Sequence, residues 1–220
     1  MSKSQFNAVA PTNVMKQYGA DILRLWATSV DYQADCVMGD KLLKQCAETY
    51  RKVRNTFRFM LANINADDLT KDALLPVSEL SIIDKALLLK LNEVSESVKE
   101  AYNEYDFMAV TSTLATFMSN ELSSYYLDFT KDILYIEAKN DLRRRQVQSV
   151  IYYCVDTLVR LWAPILVHTA EEINDFFEKE ESIHLKEFNA SYEIENAEEI
   201  EAKVNRLFEL RSDVFKALEE

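Results

Sequence analysis

Gly19 and Gly39 are the only glycines, and Pro11, Pro76 and Pro164 the only prolines, in 220 residues. Hairpins and strand-to-helix loops draw on these two residue types for their turns, so this sparse punctuation leaves few ways to build a sheet. The chain is expected to be all-α. Its hydrophobic fraction of 48 % supports a substantial core and is not that of a disordered chain. The same scarcity excludes a phosphate-cradling loop, in which several glycines must converge. Cys36, Cys46 and Cys154 are too few and too far apart for a disulfide framework or a paired-cysteine metal site. Reduced thiols in a cytoplasmic protein are expected. No apolar run reaches membrane-spanning length, and the N-terminus lacks the apolar stretch of a signal peptide.

The segment 41–64 reads as a helix with two unlike faces. Cys46, Tyr50, Val53, Phe57, Met60, Leu61 and Ile64 recur at helical spacing, while Lys44, Arg51, Arg54 and Arg58 line the flank of that stripe. Nothing acidic is expected within this row. A basic row is most often a solvated face. The contrast with the whole chain, at net charge −12, favours a second reading, a phosphate backbone laid along the helix. Arginine suits that task because its planar fork donates two hydrogen bonds at once. Lys52 joins the same surface, and Asn55 is a candidate for polar recognition or for burial against a neighbouring helix.

Along the rest of the chain, Thr12 or Asn13 is expected to cap a short helix that Gly19 ends in the left-handed conformation. A second helix follows from Ala20 to Thr28, with Ile22, Leu23, Leu25 and Trp26 as buried candidates. Residues 65–80 form a polar connector. Ser81 or Asp84 opens a core helix reaching Tyr105, and Asp106 caps the next. Ser123-Ser124-Tyr125-Tyr126 reads as a break before a short helical piece carrying Lys131, which can pair with Asp128 or Asp132 or contact a ligand. Arg143-Arg144-Arg145 opens a long helix that Pro164 must stop or kink. Thr169 and Glu172 have capping-box spacing for a helix from Ala170 to Phe177. The last helix has Ile200, Val204, Leu207, Phe208, Val214 and Leu218 along one side, and the chain stops inside it. The expected division is a first segment 1–40, a helical domain 41–180 and the start of an appendage 181–220.

Met1-Ser2-Lys3-Ser4, Phe6-Asn7, Pro11 and the string Tyr18-Gly19-Ala20-Asp21-Ile22-Leu23-Arg24-Leu25-Trp26 resemble the region just after the catalytic fold of class I aminoacyl-tRNA synthetases for branched aliphatic amino acids. Segments 31–35, 50–59 and 126–135 are similar to the isoleucyl branch of that family. Trp162-Ala163-Pro164-Ile165-Leu166 and His168-Thr169-Ala170-Glu171-Glu172-Ile173 are shared more widely within it. Val167 stands where the pattern has proline and Asn174 where it has tryptophan.

The resemblance implies a helical-bundle anticodon-binding domain with an N-terminal stem-contact segment. Ser2, Lys3 and Ser4 would be the remnant of the ATP-binding Lys-Met-Ser-Lys-Ser loop, whose first lysine is absent. The full-length enzyme would be a monomer that uses ATP with magnesium to attach isoleucine to its tRNA. This part, lacking the catalytic fold, is expected to be inactive alone, and zinc would belong to a tail beyond it. Together with the basic residues read above, the expected tRNA-binding set is Lys44, Arg51, Lys52, Arg54, Asn55, Arg58, Lys131 and Arg144. The alternatives are the valyl or leucyl branch, a helical protein-interaction scaffold whose arginines pair with its carboxylates, and a di-iron bundle. The last would need a second copy of the Glu181-x-x-His184 spacing, and only one exists. No metal site is expected.

Overall fold

The computed structural model describes residues 10–36, 38–65, 68–178 and 181–219, and among these there is no strand. Ser2, Lys3 and Ser4 lie outside the described residues. Helices α1 (Pro11–Tyr18), α2 (Ala20–Thr28), α3 (Asp40–Asn63), α4 (Ile82–Asn103), α5 (Phe107–Phe117), α6 (Asp128–Ile136), α7 (Leu142–Trp162), α8 (Val167–Phe177) and α9 (Ala197–Glu219) follow in chain order. A π-helical segment, Met118–Leu127, joins α5 to α6.

The core is built around α7. Val147, Val150, Ile151, Cys154, Val155, Leu158 and Trp162 are buried along its length, so this helix is apolar around most of its circumference, as a central helix must be. It packs on α3, α4, α6 and α8. Asp141 caps it by accepting the Arg143 and Arg144 amides at 2.8 and 3.2 Å. The α3 stripe meets this core as expected, with Val53, Phe57, Met60 and Ile64 buried and Cys46, Tyr50 and Leu61 packed at its edge.

Several local expectations need correction. Helix α1 begins at Pro11 with Ala10 preceding it and no side-chain cap, because proline presets the first helical φ and has no amide to satisfy. Gly19 has φ +96° and ψ 161°, a positive-φ extended conformation open essentially to glycine alone, and it links α1 directly to α2. Helix α4 stops at Asn103. The Asp106 amide bonds the Ala101 carbonyl at 2.8 Å and the Tyr105 amide bonds that of Tyr102 at 3.2 Å, a Schellman closure with Tyr105 at φ 60°.

The break expected at Ser123 to Tyr126 does not occur. Val110, Leu114, Met118, Leu122, Tyr126, Thr130 and Leu134 are all buried at a constant interval of four. In an α-helix four residues overshoot one turn by about 40°, so such a stripe would spiral off the core within a few turns. The wider π turn winds less per residue and returns it to the core side. Hydroxyl bonds from Ser119 to the Ala115 carbonyl and from Ser124 to the Ser119 carbonyl, both 2.7 Å, accompany the widened turns.

Helix α8 starts at Val167, and its cap comes from a distant part of the chain. The buried Asp21 carboxylate on α2 accepts the His168 and Thr169 amides at 3.3 and 2.7 Å and the Thr169 hydroxyl at 2.6 Å. The capping box expected within 169–172 is thereby replaced, and Glu172 is left to pair elsewhere. At the other end of α8, burial alone would raise the Glu178 carboxyl. Hydrogen bonds from Lys186, Tyr152 and Lys71 outweigh that and hold it at about 2.

Candidate nucleic-acid interface

The outward face of α3 carries the basic row, but the row is not unpaired. Lys44 sits 2.7 Å from Asp40, one turn earlier on the same helix. Arg51 donates to Glu48 at 2.9 Å. Arg54 donates both terminal nitrogens to Glu172 on α8 at 2.6 Å each, which pushes its guanidinium further toward the charged form. The pairing of Arg51 was legible as an i, i+3 spacing, whereas Glu172 is 118 residues away and only the tertiary fold brings it near.

These pairs hold the row loosely. The Lys44–Asp40 and Arg51–Glu48 side chains are each about 60 % exposed, and ion pairs so solvated contribute about 0–1 kcal/mol. An approaching phosphate can exchange with either carboxylate at little cost. Lys52 and Arg58 are exposed and have no partner among the described residues. Lys41, at the start of the helix, is likewise exposed with no partner among the described residues.

Asn55 is exposed, which decides against burial in a helix contact. With Lys52 it lines a groove of about 540 Å³ between α3 and the π-helical segment, and Lys131 lines the same groove from α6. Lys131 pairs with Asp128 at 2.8 Å, and this hydrogen bond raises its pKa above the ordinary lysine range. Seven of the expected residues therefore share one side of the molecule in two sets: Lys44, Arg51, Arg54 and Arg58 with Lys52 along α3, and Lys52, Asn55 and Lys131 around the groove.

Arg144 is placed differently. Its side chain is 11 % exposed and its guanidinium forks onto Asp68, with Nε also donating to the Leu134 carbonyl at 3.0 Å. The hydrogen bond from Arg144, assisted by Gln148, holds the Asp68 carboxyl below the usual carboxylate range. Arg145 donates to the Asp68 carbonyl at 2.6 Å, and Arg143 pairs with the buried Asp84. All three adjacent arginines thus tie connectors and helices together. Three cations at the start of a core helix, with Asp68 in the 65–80 connector and Asp84 in the first turn of α4, were the available signal for this structural role.

Among the described residues no group of three His, Cys, Asp or Glu side chains is placed to hold a metal ion. His184 Nε2 lies 3.2 Å from the Val167 carbonyl and 4.0 Å from Glu171, which accounts for it as a local contact. No described helix is long and apolar enough to cross a membrane.

Residues 84–220 match the anticodon-binding domain of tRNA ligases, and residues 1–39 match the class I tRNA synthetases of the isoleucine, leucine, methionine and valine group. The chain belongs to this family of tRNA ligases. Among its relatives, the isoleucine–tRNA ligase of Bacillus licheniformis is 49 % identical over 221 aligned positions, covering 100 % of this chain and 24 % of that protein. Those of Geobacillus kaustophilus and Bacillus subtilis are each 48 % identical with the same coverage. The chain therefore spans about a quarter of the length of these relatives. A leucyl-tRNA synthetase from Agrobacterium radiobacter, solved in a ternary complex with tRNA, shares the fold with a TM-score of 0.61 at 18 % identity, covering 91 % of this chain and 22 % of that one.

Proposed function

We propose that this chain is the anticodon-arm-binding portion of a cytoplasmic isoleucyl-tRNA synthetase and that it positions tRNA without performing chemistry itself. The full-length protein would attach isoleucine to its tRNA using ATP and magnesium. Ser2, Lys3 and Ser4, read as the ATP-loop remnant, would serve that reaction. Zinc, where the full-length protein carries it, would belong to a tail beyond this segment, and no step proposed here is routed through it.

The observation that carries the reading is the α3 face. In a chain of net charge −12, Lys52 and Arg58 stand exposed without counter-ions beside Arg51 and Arg54, whose partners are surface carboxylates. A cationic strip on an acidic protein attracts a polyanion locally while the remaining surface repels it elsewhere, which favours one docking orientation. Relatives near 48 % identity named isoleucine–tRNA ligases support the choice of amino acid.

The test is the salt dependence of isoleucine-tRNA binding by the full-length ligase. Replacing Lys52 or Arg58 by alanine is expected to reduce the slope of log affinity against log salt by about 0.7 to 0.9 for each phosphate contact removed. An unchanged slope in both variants would favour the protein-scaffold reading of the basic face.

A further inference from the structure

Aromatic side chains from distant parts of the chain meet at the corner where α4 turns into α5. Phe107 is their hub, with ring centroids 6.1 Å from Tyr32, 6.4 Å from Tyr102 and 6.1 Å from Tyr105. Phe188 stacks on Tyr102 at 5.8 Å. The Tyr102 hydroxyl donates to the Leu161 carbonyl at 2.8 Å and that of Tyr32 to the Tyr105 carbonyl at 3.3 Å, so the cluster is tied to the bundle. It is nevertheless a surface, because Tyr105 is 66 % exposed, Tyr32 55 % and Phe188 38 %.

Two features set this corner apart. Tyr105 has φ 60°, a left-handed backbone that glycine adopts freely and a bulky L side chain adopts at a cost. Its ring stays largely exposed, so burial does not offset that cost, and backbone outliers of this kind concentrate at binding surfaces. The surrounding charge is also of one sign. Asp31, Glu104, Asp106 and Glu187 each adjoin one of the aromatics in sequence, are exposed and have no ion-pair partner among the described residues. The cations that reach the 187–189 segment are already engaged, Arg160 with Asp156 and the Glu187 carbonyl, Lys99 with Glu96 and the Asn189 carbonyl.

Exposed phenol faces beside unpaired carboxylates call for one chemistry. A phosphate backbone would be repelled by the four carboxylates, and a purely apolar partner would bury them unpaired. Lysine supplies charge without a plane. Arginine supplies both, since its guanidinium stacks on an aromatic face while its fork donates to a carboxylate. We propose that the aromatic corner of α4 and α5 docks an arginine-bearing segment of a separate protein, with guanidinium groups over Tyr32 and Tyr105 paired to the flanking carboxylates. Its charge is opposite to that of the α3 row, so the proposal stands or falls separately from the tRNA-binding reading.

The test titrates fluorescein-labelled octa-arginine and octa-lysine peptides into full-length ligase at low salt. The parent is compared with Tyr105→Gly, Tyr32→Ser and the pair Glu104→Gln with Glu187→Gln. Tyr105→Gly removes a ring and relieves the left-handed backbone, so its urea midpoint is expected at or above the parent's, which separates a lost contact from a damaged fold. The parent is expected to hold octa-arginine more tightly than octa-lysine. Each tyrosine change should weaken octa-arginine about 2- to 5-fold, the range of an exposed cation–π contact, with a smaller effect on octa-lysine. The glutamine pair should weaken both peptides. If the parent binds neither peptide, or if both tyrosine variants bind octa-arginine as the parent does, the corner takes no arginine segment and the proposal is wrong. It is equally overturned if Tyr105→Gly leaves the peptides unaffected and weakens isoleucine-tRNA binding instead, which would make the corner an RNA-stacking surface.

Discussion

Replacing Asp84 with alanine is expected to lower the stability of the bundle by about 3–5 kcal/mol, the cost of removing one partner from a buried ion pair. Asp84 is fully buried at the start of α4. It closes a capping box by accepting the Ser81 amide at 3.2 Å and hydroxyl at 2.7 Å, and it accepts the buried Tyr126 hydroxyl at 2.6 Å. The Arg143 guanidinium forks onto the same carboxylate, with its second nitrogen at 3.0 Å. One carboxylate therefore joins α4, the π-helical segment and α7. Alanine would leave a half-buried cation, a buried phenol and a helix end all short of an acceptor. Urea unfolding monitored by circular dichroism should show a large fall in midpoint for Asp84→Ala. Tyr126→Phe, which removes one hydrogen bond, should cost about 1–2 kcal/mol. The double variant should be less destabilised than the sum, since the two side chains interact directly.

Reversing Lys52 and Arg58 together to glutamate is expected to weaken tRNA association by on the order of 100-fold or more at low salt, with helical content unchanged. Both are exposed and partnerless, so their loss breaks no internal contact. Arg54 is left intact in this variant for a physical reason. A glutamate there would face Glu172 and would mix a local repulsion between α3 and α8 with any effect on RNA. Filter binding or fluorescence anisotropy across a salt series separates the outcomes. A loss that disappears at high salt is electrostatic, whereas a loss that persists at every salt concentration reports a damaged fold.

Features that depend on near neighbours in sequence were legible. The α3 stripe, the Ser81 and Asp106 caps and the helix from Ala20 to Thr28 each follow from periodicity or from a polar residue just before an apolar run. Features that depend on distant partners were not. Asp21 caps α8 from 148 positions away at Thr169, so the local Thr169 and Glu172 signal pointed to a box that does not form. The π-helical segment was hidden because Ser123 and Ser124 suggest a break, while the stripe spaced by four that requires continuity becomes meaningful only against a packed core. At the candidate interface, sequence located the cations, and the fold divided them. Arg54 reaches Glu172 across the bundle, Arg144 turns inward to Asp68, and Lys52, Asn55 and Lys131 meet in a groove that no sequence spacing announces.

The measurement that bears most directly on the central claim is a map of what RNA lies over α3. A photo-crosslinking side chain placed at position 58 of the full-length ligase, irradiated with isoleucine tRNA bound, should label nucleotides of the anticodon stem and loop. Labelling confined to the acceptor arm, or no RNA adduct at saturating tRNA, would contradict the assignment of this face to the anticodon arm.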